Sequence, residues 1–350
     1  MRILVAGATG YVGARLVPAL VAAGHDVVAA SSREPRPERF PFDRVSSVRM
    51  DAADPVQVRD AVRGVDAVVW LVHALDVRDF ERRDRDAART VARAVEEAGV
   101  RRVVYLSGLV PDVDEGRLSP HIASRLEVER VLGASDASTL SLRAGVVIGA
   151  GSTSFEIIRQ LASVLLVHPV PPWLRARVQP VAVRDVVRAL VHAVGSDREG
   201  EVDVGGPDVL PYAELLRIYC AVAGLPRVQV PTLGPPVTLA AVSAGLATAA
   251  PYWTVAALVQ SLRHDMVCRP DHVDPSLLDP DDALPVREAI ALALAEEGAA
   301  GLDDGDPDWV RFSRLERMVA ATRLPGSTLL GSVLHVADHR TRRLLRWVRS

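Results

Sequence analysis

The sequence predicts an α/β protein built on a doubly wound parallel sheet, with a smaller, mainly helical C-terminal subdomain. Three observations predict it. Short apolar runs alternate with helical patterns from residue 2 to about 204. The first run breaks into glycines at 7, 10 and 13 before a helix begins. Hydrophobic residues make up 49% of the 350, enough for a large core. Strands separated by helices require crossover connections, which are right-handed.

Ile3 to Ala6 reads as a buried strand, and Leu16, Val17, Leu20 and Val21 mark the inner face of a helix from about Tyr11 to Ala23. Gly24 ends that helix, and Pro18 inside it predicts a slight kink. Between strand and helix stands Gly7-Ala-Thr-Gly-Tyr-Val-Gly13. In this setting Gly7 permits a tight turn, Gly10 lets the backbone approach a pyrophosphate, and Gly13 lets the helix pack close to the strand. The helix amino end adds free N–H groups and partial positive charge. Gly7, Thr9, Gly10, Tyr11, Val12 and Gly13 are therefore the expected phosphate cradle of a dinucleotide.

The second strand, His25 to Ala30, leads into Ser31-Ser32-Arg33. An NAD site wants an acid here for the ribose 2′-hydroxyl. Ser32 and Arg33, with Arg36 close behind, suit the 2′-phosphate of NADP instead, so NADP is expected ahead of NAD. The third strand, Val45 to Met50, ends in Asp51, which with Ala52 is placed to reach an adenine amino group. A helix from Pro55 to Val62 follows. The strand Ala67 to Val72 is nearly all apolar, as expected of one buried on both faces, and brings Leu71, Val72 and His73 to the cofactor edge. After a long helix, Phe80 to Ala98, the strand Arg102 to Leu106 delivers Leu106, Ser107 and Gly108 to the same edge. The next helix, Ser119 to Leu132, carries His121 and Arg125 at i and i+4, on one face.

By these residues the chain resembles the short-chain dehydrogenase/reductase superfamily, in particular its atypical branch of NAD(P)-binding Rossmann proteins, complex I accessory subunit-like and NmrA-like. The likeness covers about residues 1 to 225. It rests on the glycine motif, Asp51, Leu-Ser-Gly (106–108), Leu-Arg-Ala-Gly-Val-Val-Ile-Gly (142–149) and Gly-Gly-Pro-Asp (205–208). The resemblance implies Ser, Tyr and Lys at the places of Ser107, His121 and Arg125. Here the tyrosine is a histidine and the lysine an arginine; the chain has no lysine, and all 41 of its basic residues are arginine. Ser107, His121 and Arg125 are the catalytic candidates. Ser107 would polarise a carbonyl, His121, with an intrinsic pKa of about 6.5, would act as general acid, and Arg125 would hold the nicotinamide ribose. The alternative leaves His121 and Arg125 as ordinary surface or ion-pairing residues, Arg125 with Glu129 one turn on. Two functions follow. One is an NADPH-linked oxidoreductase for an apolar small molecule, without the usual Tyr and Lys. The other is a non-catalytic NADP(H)-binding sensor or structural accessory protein.

The second half continues with a strand Thr139 to Val147, a helix Ser154 to Leu166, and a turn-rich His168-Pro-Val-Pro-Pro-Trp173 expected to line a substrate cleft. A helix to Val194, a strand Glu201 to Val204 and a helix Tyr212 to Ala223 complete residues 1–225, expected as the dinucleotide-binding domain. Residues 226–350 are expected to form an apolar helical subdomain with a basic tail. No charged residue occurs from Val228 to Leu262, and prolines 231, 235, 236 and 251 cut that stretch too short to span a bilayer. It reads as buried helices, an apolar lid over a lipid-like ligand, or a membrane-surface patch. A helix from Ala283 to Glu297 would be capped by Asp281 and Asp282. Asp304 to Trp309 resembles the opening of a further module in some atypical relatives. The tail from His339 to Ser350 mixes arginines with Leu344, Leu345, Trp347 and Val348, as a solvated helix end does, or an anchor for anionic lipid at the inner face of a membrane.

Net charge is −3, which gives no bulk attraction to nucleic acid, and none is expected as partner. Two cysteines supply no metal or disulfide framework. A cytoplasmic protein is expected, with no leader ahead of the first strand.

Overall fold

Seven parallel strands make the central sheet: β1 (Arg2–Ala6), β2 (Asp26–Ser31), β3 (Val45–Arg49), β4 (Ala67–Trp70), β5 (Arg102–Gly108), β6 (Ser138–Ala144) and β7 (Gly200–Val204). This is a computed structural model, and it describes residues 1–74, 77–234, 237–299, 334 and 336–339. The spatial order is β7-β6-β5-β4-β1-β2-β3, so the winding reverses between β1 and β4. Ligands of open α/β sheets bind in the crevice at that reversal, beyond the carboxyl ends of the strands.

The helices are α1 (Tyr11–Ala22), α2 (Pro55–Val62), α3 (Phe80–Ala98), α4 (Pro120–Gly133), α5 (Thr153–Val164), α6 (Val183–Gly195), α7 (Tyr212–Val222), α8 (Val237–Ala247), α9 (Tyr252–Ser261) and α10 (Val286–Ala299). Alternation along the strands feeds two cores. Ile3, Val5, Val69 and Val104 pack with Leu16 and Leu20 of α1 and Val186 and Leu190 of α6. Leu4, Val28, Val68 and Val103 pack on the other face with Val58 of α2, Val91 of α3 and Leu132 of α4. Each such side chain contributes about 1.5–3 kcal/mol through burial.

The chain forms two compact units and passes between them repeatedly. The first comprises Met1–Val147, Gln179–Val209 and Met266–Pro285. It holds the sheet, and its last segment is tied to β7 by Arg269, whose Nε and Nη2 donate to the Asp203 carboxylate at 3.0 Å each. The second comprises Ile148–Val178, Leu210–Asp265 and the described residues from Val286 on. Its apolar cluster draws on Ile157, Ala241, Ala249, Val255 and Val259. A two-stranded parallel ladder joins Val167–Val170 to Val228–Pro231.

Several expectations are corrected. β6 stops at Ala144, short of the expected Val147, and Gly145 beyond it lies against the Gln179 carbonyl, where a Cβ would stand 1.9 Å from the oxygen. The segment expected to be turn-rich, His168 to Trp173, begins as part of a ladder strand, with His168 buried in the second unit. The helix expected at Ala283 starts at Val286. Ahead of α10, Leu284 N–H donates to Asp185 of α6 at 2.9 Å, Asp281 N–H donates to Asp279 at 3.0 Å, and the Asp282 carboxylate stands 3.7 Å from Arg188 of α6. The uncharged stretch forms α8 and α9, burying alanines and valines while exposing Leu233, Val242, Tyr252 and Trp253. No helix among the described residues is long and apolar enough to cross a membrane. The Asp304–Trp309 motif and the arginine-rich residues 340–350 lie outside the described residues.

Gly13 sits in the first turn of α1, where a Cβ would lie 2.2 Å from the Gly7 carbonyl oxygen and 2.8 Å from the Ala8 Cα. Backbone cannot yield as a side chain does, so Gly13→Ala is expected to cost at least about 1–3 kcal/mol of stability. Thermal unfolding should show this as a melting temperature several degrees lower, and an unchanged Tm would refute the close approach.

Candidate active site

β1 leads into Gly7, whose φ of 85° is open to glycine far more readily than to other residues. The turn is held from behind: Gly7 and Ala8 N–H both donate to the Ala30 carbonyl of β2, at 3.1 and 3.0 Å, and Gly10 N–H to Gly7 O at 2.9 Å. α1 then starts with no side chain capping it at Gly10. A Cβ at Gly10 would meet only the Gly7 carbonyl, at 3.2 Å. The two glycines thus differ in purpose. Gly13 is needed for packing, whereas the space over Gly10 is left open in front of a helix amino end. That cradle fits a pyrophosphate.

Around it lie the other expected residues. Leu71 donates its N–H to Ala6 O at 3.1 Å, placing its backbone 3.5 Å from where a Gly7 Cβ would be. Val72 beyond it is half-buried. Val12 packs against the sheet core, and the Arg15 guanidinium stacks 4.2 Å above the Tyr11 ring. At the end of β2 the buried Ser31 hydroxyl accepts from Thr9 Oγ1 at 3.3 Å and from Arg33 N–H at 3.1 Å. This leaves Ser32 and the Arg33 side chain exposed. The next acid, Glu34, is engaged by Arg49 at 2.6 Å. Asp51 is exposed just past β3, with one carboxylate oxygen accepting from Ala53 N–H at 2.9 Å, and Ala52 is half-buried. Arg39 was not foreseen. From a short turn after β2 it reaches back to donate to the Thr9 carbonyl at 3.1 Å, and the spacing of arginines at 33, 36 and 39 was its only trace in the sequence.

Beside the cradle, at the ends of β4 and β5, stands a polar cluster. Ser119 caps α4, accepting from Ile122 N–H at 3.4 Å with Pro120 next, and this fixes His121 in the first turn. His121 is buried. Arg125, one turn on, donates from Nη1 to the Leu106 carbonyl at 3.1 Å and the Tyr105 hydroxyl at 3.4 Å. The Ser107 hydroxyl is buried, with no partner at good hydrogen-bond geometry. His73 is exposed at the rim. The loop that carries it is held from α3, where Asp84 accepts from Ala74 N–H at 2.8 Å. Tyr105 and Asp84 were missed in the sequence; Tyr105 shares the strand face of Ser107, two residues on. Glu129 is not Arg125's partner. It pairs with the buried Arg143, whose Nε donates at 3.0 Å. Among the described residues no carboxylate pairs with Arg125.

This arrangement changes the chemistry expected of His121. Burial, then the charge of Arg125, then His73 push its pKa well below the usual imidazole range. The positive end of α4 acts in the same sense. His73 is lowered too, by the protein packed around it and then by Arg125. Burial raises the Tyr105 hydroxyl despite Arg125 and keeps it protonated. His121 is therefore a neutral imidazole at physiological pH and not the imidazolium acid expected from its intrinsic pKa.

Known proteins match this architecture. The family model for NAD(P)H-binding proteins matches residues 7–162. A Streptomyces 3-diazoavenalumate denitrifying reductase is 31% identical over 262 residues, spanning 65% of this chain and 83% of that protein. This chain belongs to the atypical short-chain dehydrogenase/reductases. A ceramide reductase of Caulobacter vibrioides is 31% identical over 195 residues, 54% of this chain and 59% of that protein. Two solved structures share the fold of this reductase-like protein. Gox2253 has a TM-score of 0.64 at 20% identity, covering 84% of this chain and 97% of that one. Bordetella bronchiseptica WbmH, solved with NAD+, has 0.63 at 18%, covering 86% and 99%. The family match and the reductase relatives make this a nicotinamide-binding, oxidoreductase-like chain.

The lowered histidine has a consequence for stability. An unfolded imidazole titrates near 6.5, so below about that pH the unfolded chain takes up protons that folded His121 refuses. The contribution of His121 to stability is thus complete above pH 6.5 and lost as pH falls below it. Urea unfolding at pH 7.5 and pH 5 should show a smaller acid loss for His121→Phe than for the unmodified protein. Equal losses would mean that His121 titrates normally.

Proposed function

We propose that this atypical short-chain dehydrogenase/reductase is an NADPH-dependent reductase of an apolar carbonyl compound. The observation that carries the reading is the open space over Gly10, in line with an uncapped helix on one side and an acid-free strand end on the other. Gly7, Gly10, Gly13 and the first turn of α1 would hold the pyrophosphate, with Asp51 and Ala52 beside the adenine. Arg33, with Arg39 at the Thr9 carbonyl, would grip the 2′-phosphate, since arginine forks match phosphate and Glu34, next to Arg33, is already paired with Arg49. Leu71, Val72, His73 and Leu106 would border the nicotinamide end.

When bound, reduced nicotinamide supplies a hydride to the substrate carbon. The protein's part is to bind the carbonyl oxygen. Ser107 Oγ–H and a neutral His121 N–H are the donors nearest the strand ends, and both would strengthen as the oxygen gains charge. Neutral imidazole is a hydrogen-bond donor here rather than a proton source, so the proton comes from water. No group of the cluster changes charge between about pH 7 and 9, and the rate of reduction should be flat across that range. The competing reading, a binding protein without turnover, draws on the missing tyrosine and lysine and on how deeply Ser107 and His121 are buried.

Calorimetry tests the cofactor assignment first. NADP(H) should bind more tightly than NAD(H), and Arg33→Ala should weaken NADP(H) about ten- to a hundredfold, or 1.5–3 kcal/mol, without changing NAD(H). Equal affinities in the unmodified protein would remove the NADP preference. Gly10→Val should stay folded and lose both dinucleotides. With NADPH bound, a panel of apolar ketones and enones decides turnover. If none reacts while NADPH binds, the non-catalytic reading stands.

A further inference from the structure

The short parallel ladder of the second unit inverts the usual burial pattern of a strand pair. Its register sets Val167 opposite Val228, His168 opposite Gln229 and Pro169 opposite Val230. Successive residues of a strand point to opposite faces, so His168 and Gln229 share one face and the valines and Pro169 the other. A half-covered sheet ordinarily buries its apolar face and leaves the polar one to water. Here His168 is 1% exposed and Gln229 Nε2 donates to the Ala213 carbonyl at 2.7 Å, while Val167, Val228 and Val230 are 53%, 61% and 42% exposed. Leu166 is exposed just before this face, and Leu233, just after it, is 99% exposed.

The segments around this ladder, Ile148–Val178 and Leu210–Asp265, make up roughly a quarter of the chain. Among the described residues thirteen large apolar side chains are exposed, and eight of them belong to these segments. Two are Tyr252 and Trp253 at the start of α9, packed edge to face with centroids 5.2 Å apart. Such a concentration marks a surface that meets something apolar. Charge narrows what that is. The segments hold six arginines and three acids, and each acid is paired with one of those arginines: Glu156 with Arg159, Glu214 with Arg217, Asp265 with Arg177. Residues 286–350 of the same unit add ten arginines and nine acids, whereas the first unit holds twenty-five and thirty-two. The second unit is thus basic in a chain whose net charge is −3. A second copy docked face to face would set two basic surfaces together. An anionic bilayer offers an apolar interior beneath negative headgroups, and tyrosine and tryptophan suit the boundary between them.

We propose that the second unit docks on the surface of an anionic membrane through the outer face of this ladder and Leu233. Val167, Val228, Val230 and Leu233 enter the headgroup boundary, and the basic excess of the unit is drawn to lipid phosphate. The attachment is shallow, since no helix among the described residues is long and apolar enough to cross. It stands apart from the reductase reading and does not depend on it.

Co-sedimentation of the full chain with vesicles tests the proposal. Vesicles of equal phosphatidylcholine and phosphatidylglycerol should bind it at least tenfold more tightly than phosphatidylcholine alone, and the difference should shrink as salt rises. Val228→Asp with Leu233→Asp should weaken that binding at least tenfold, because charges on the docking face would have to leave water. Val228→Thr with Val230→Thr, which keeps β-branched side chains in the ladder, should weaken it severalfold. Both variants change exposed positions, so their thermal unfolding should match that of the unmodified chain. Val56→Asp, at a valine 60% exposed on α2 of the first unit, should leave binding unchanged. Changing the five arginines of residues 340–350 to glutamine should leave most of it. No binding to anionic vesicles, equal binding to both kinds, or binding that survives the ladder variants overturns the proposal. Complete loss in the glutamine variant overturns it too, by moving the anchor to the tail. So does a concentration-dependent dimer in sedimentation velocity that Val228→Asp dissociates, which would give the face to a second copy.

Discussion

The approach of α1 to the turn after β1 governs the rest of this structure. With a Cβ at Gly13 only 2.2 Å from the Gly7 carbonyl, the helix can sit this close only if residue 13 has no side chain. That closeness brings the amino end of α1 over the crevice where the sheet order reverses. It also leaves the backbone of Leu71 beside Gly7, so the loop after β4 is drawn to the same place. Phosphate cradle, strand end and polar cluster are neighbours because one glycine lets two backbones meet.

Along the same edge the charges are sorted with unusual economy. The β2 end presents exposed arginine, with Glu34 neutralised by Arg49. The β4–β5 end presents a guanidinium that no carboxylate pairs with among the described residues, two imidazoles whose pKa values are lowered, and a buried serine hydroxyl without a well-aligned partner. The usual superfamily set couples a tyrosine to a lysine to move a proton. Here arginine never deprotonates, buried histidine does not charge, and Tyr105 is too deeply buried to lose its proton. What remains is an arrangement of fixed hydrogen-bond donors around one guanidinium. Such donors act strongly when partly withdrawn from water, because the protein has already arranged them.

The sequence by itself determined the sheet, its parallel winding and the glycine cradle. These follow from local periodicity and from glycine stereochemistry, which neighbours along the chain largely settle. It also put Ser107, His121 and Arg125 at one edge, because strand ends and helix starts alternate in a doubly wound fold. Only the tertiary structure decided what those residues are. His121 carries the same imidazole in any sequence; burial and Arg125 make it neutral. The pattern allowed Glu129 as partner to Arg125 one turn away, yet Arg143, from a strand fourteen residues further on, claims it. Arg39 reached the cradle, and Tyr105 and Asp84 the cluster, through contacts that no periodicity reports. His168-Pro-Val-Pro-Pro-Trp173 read as a turn because its prolines are local signals, whereas its pairing with Val228–Pro231 spans some sixty residues. Short-range geometry is written in order along the chain; protonation, ion pairing and ladder partners depend on what arrives from elsewhere.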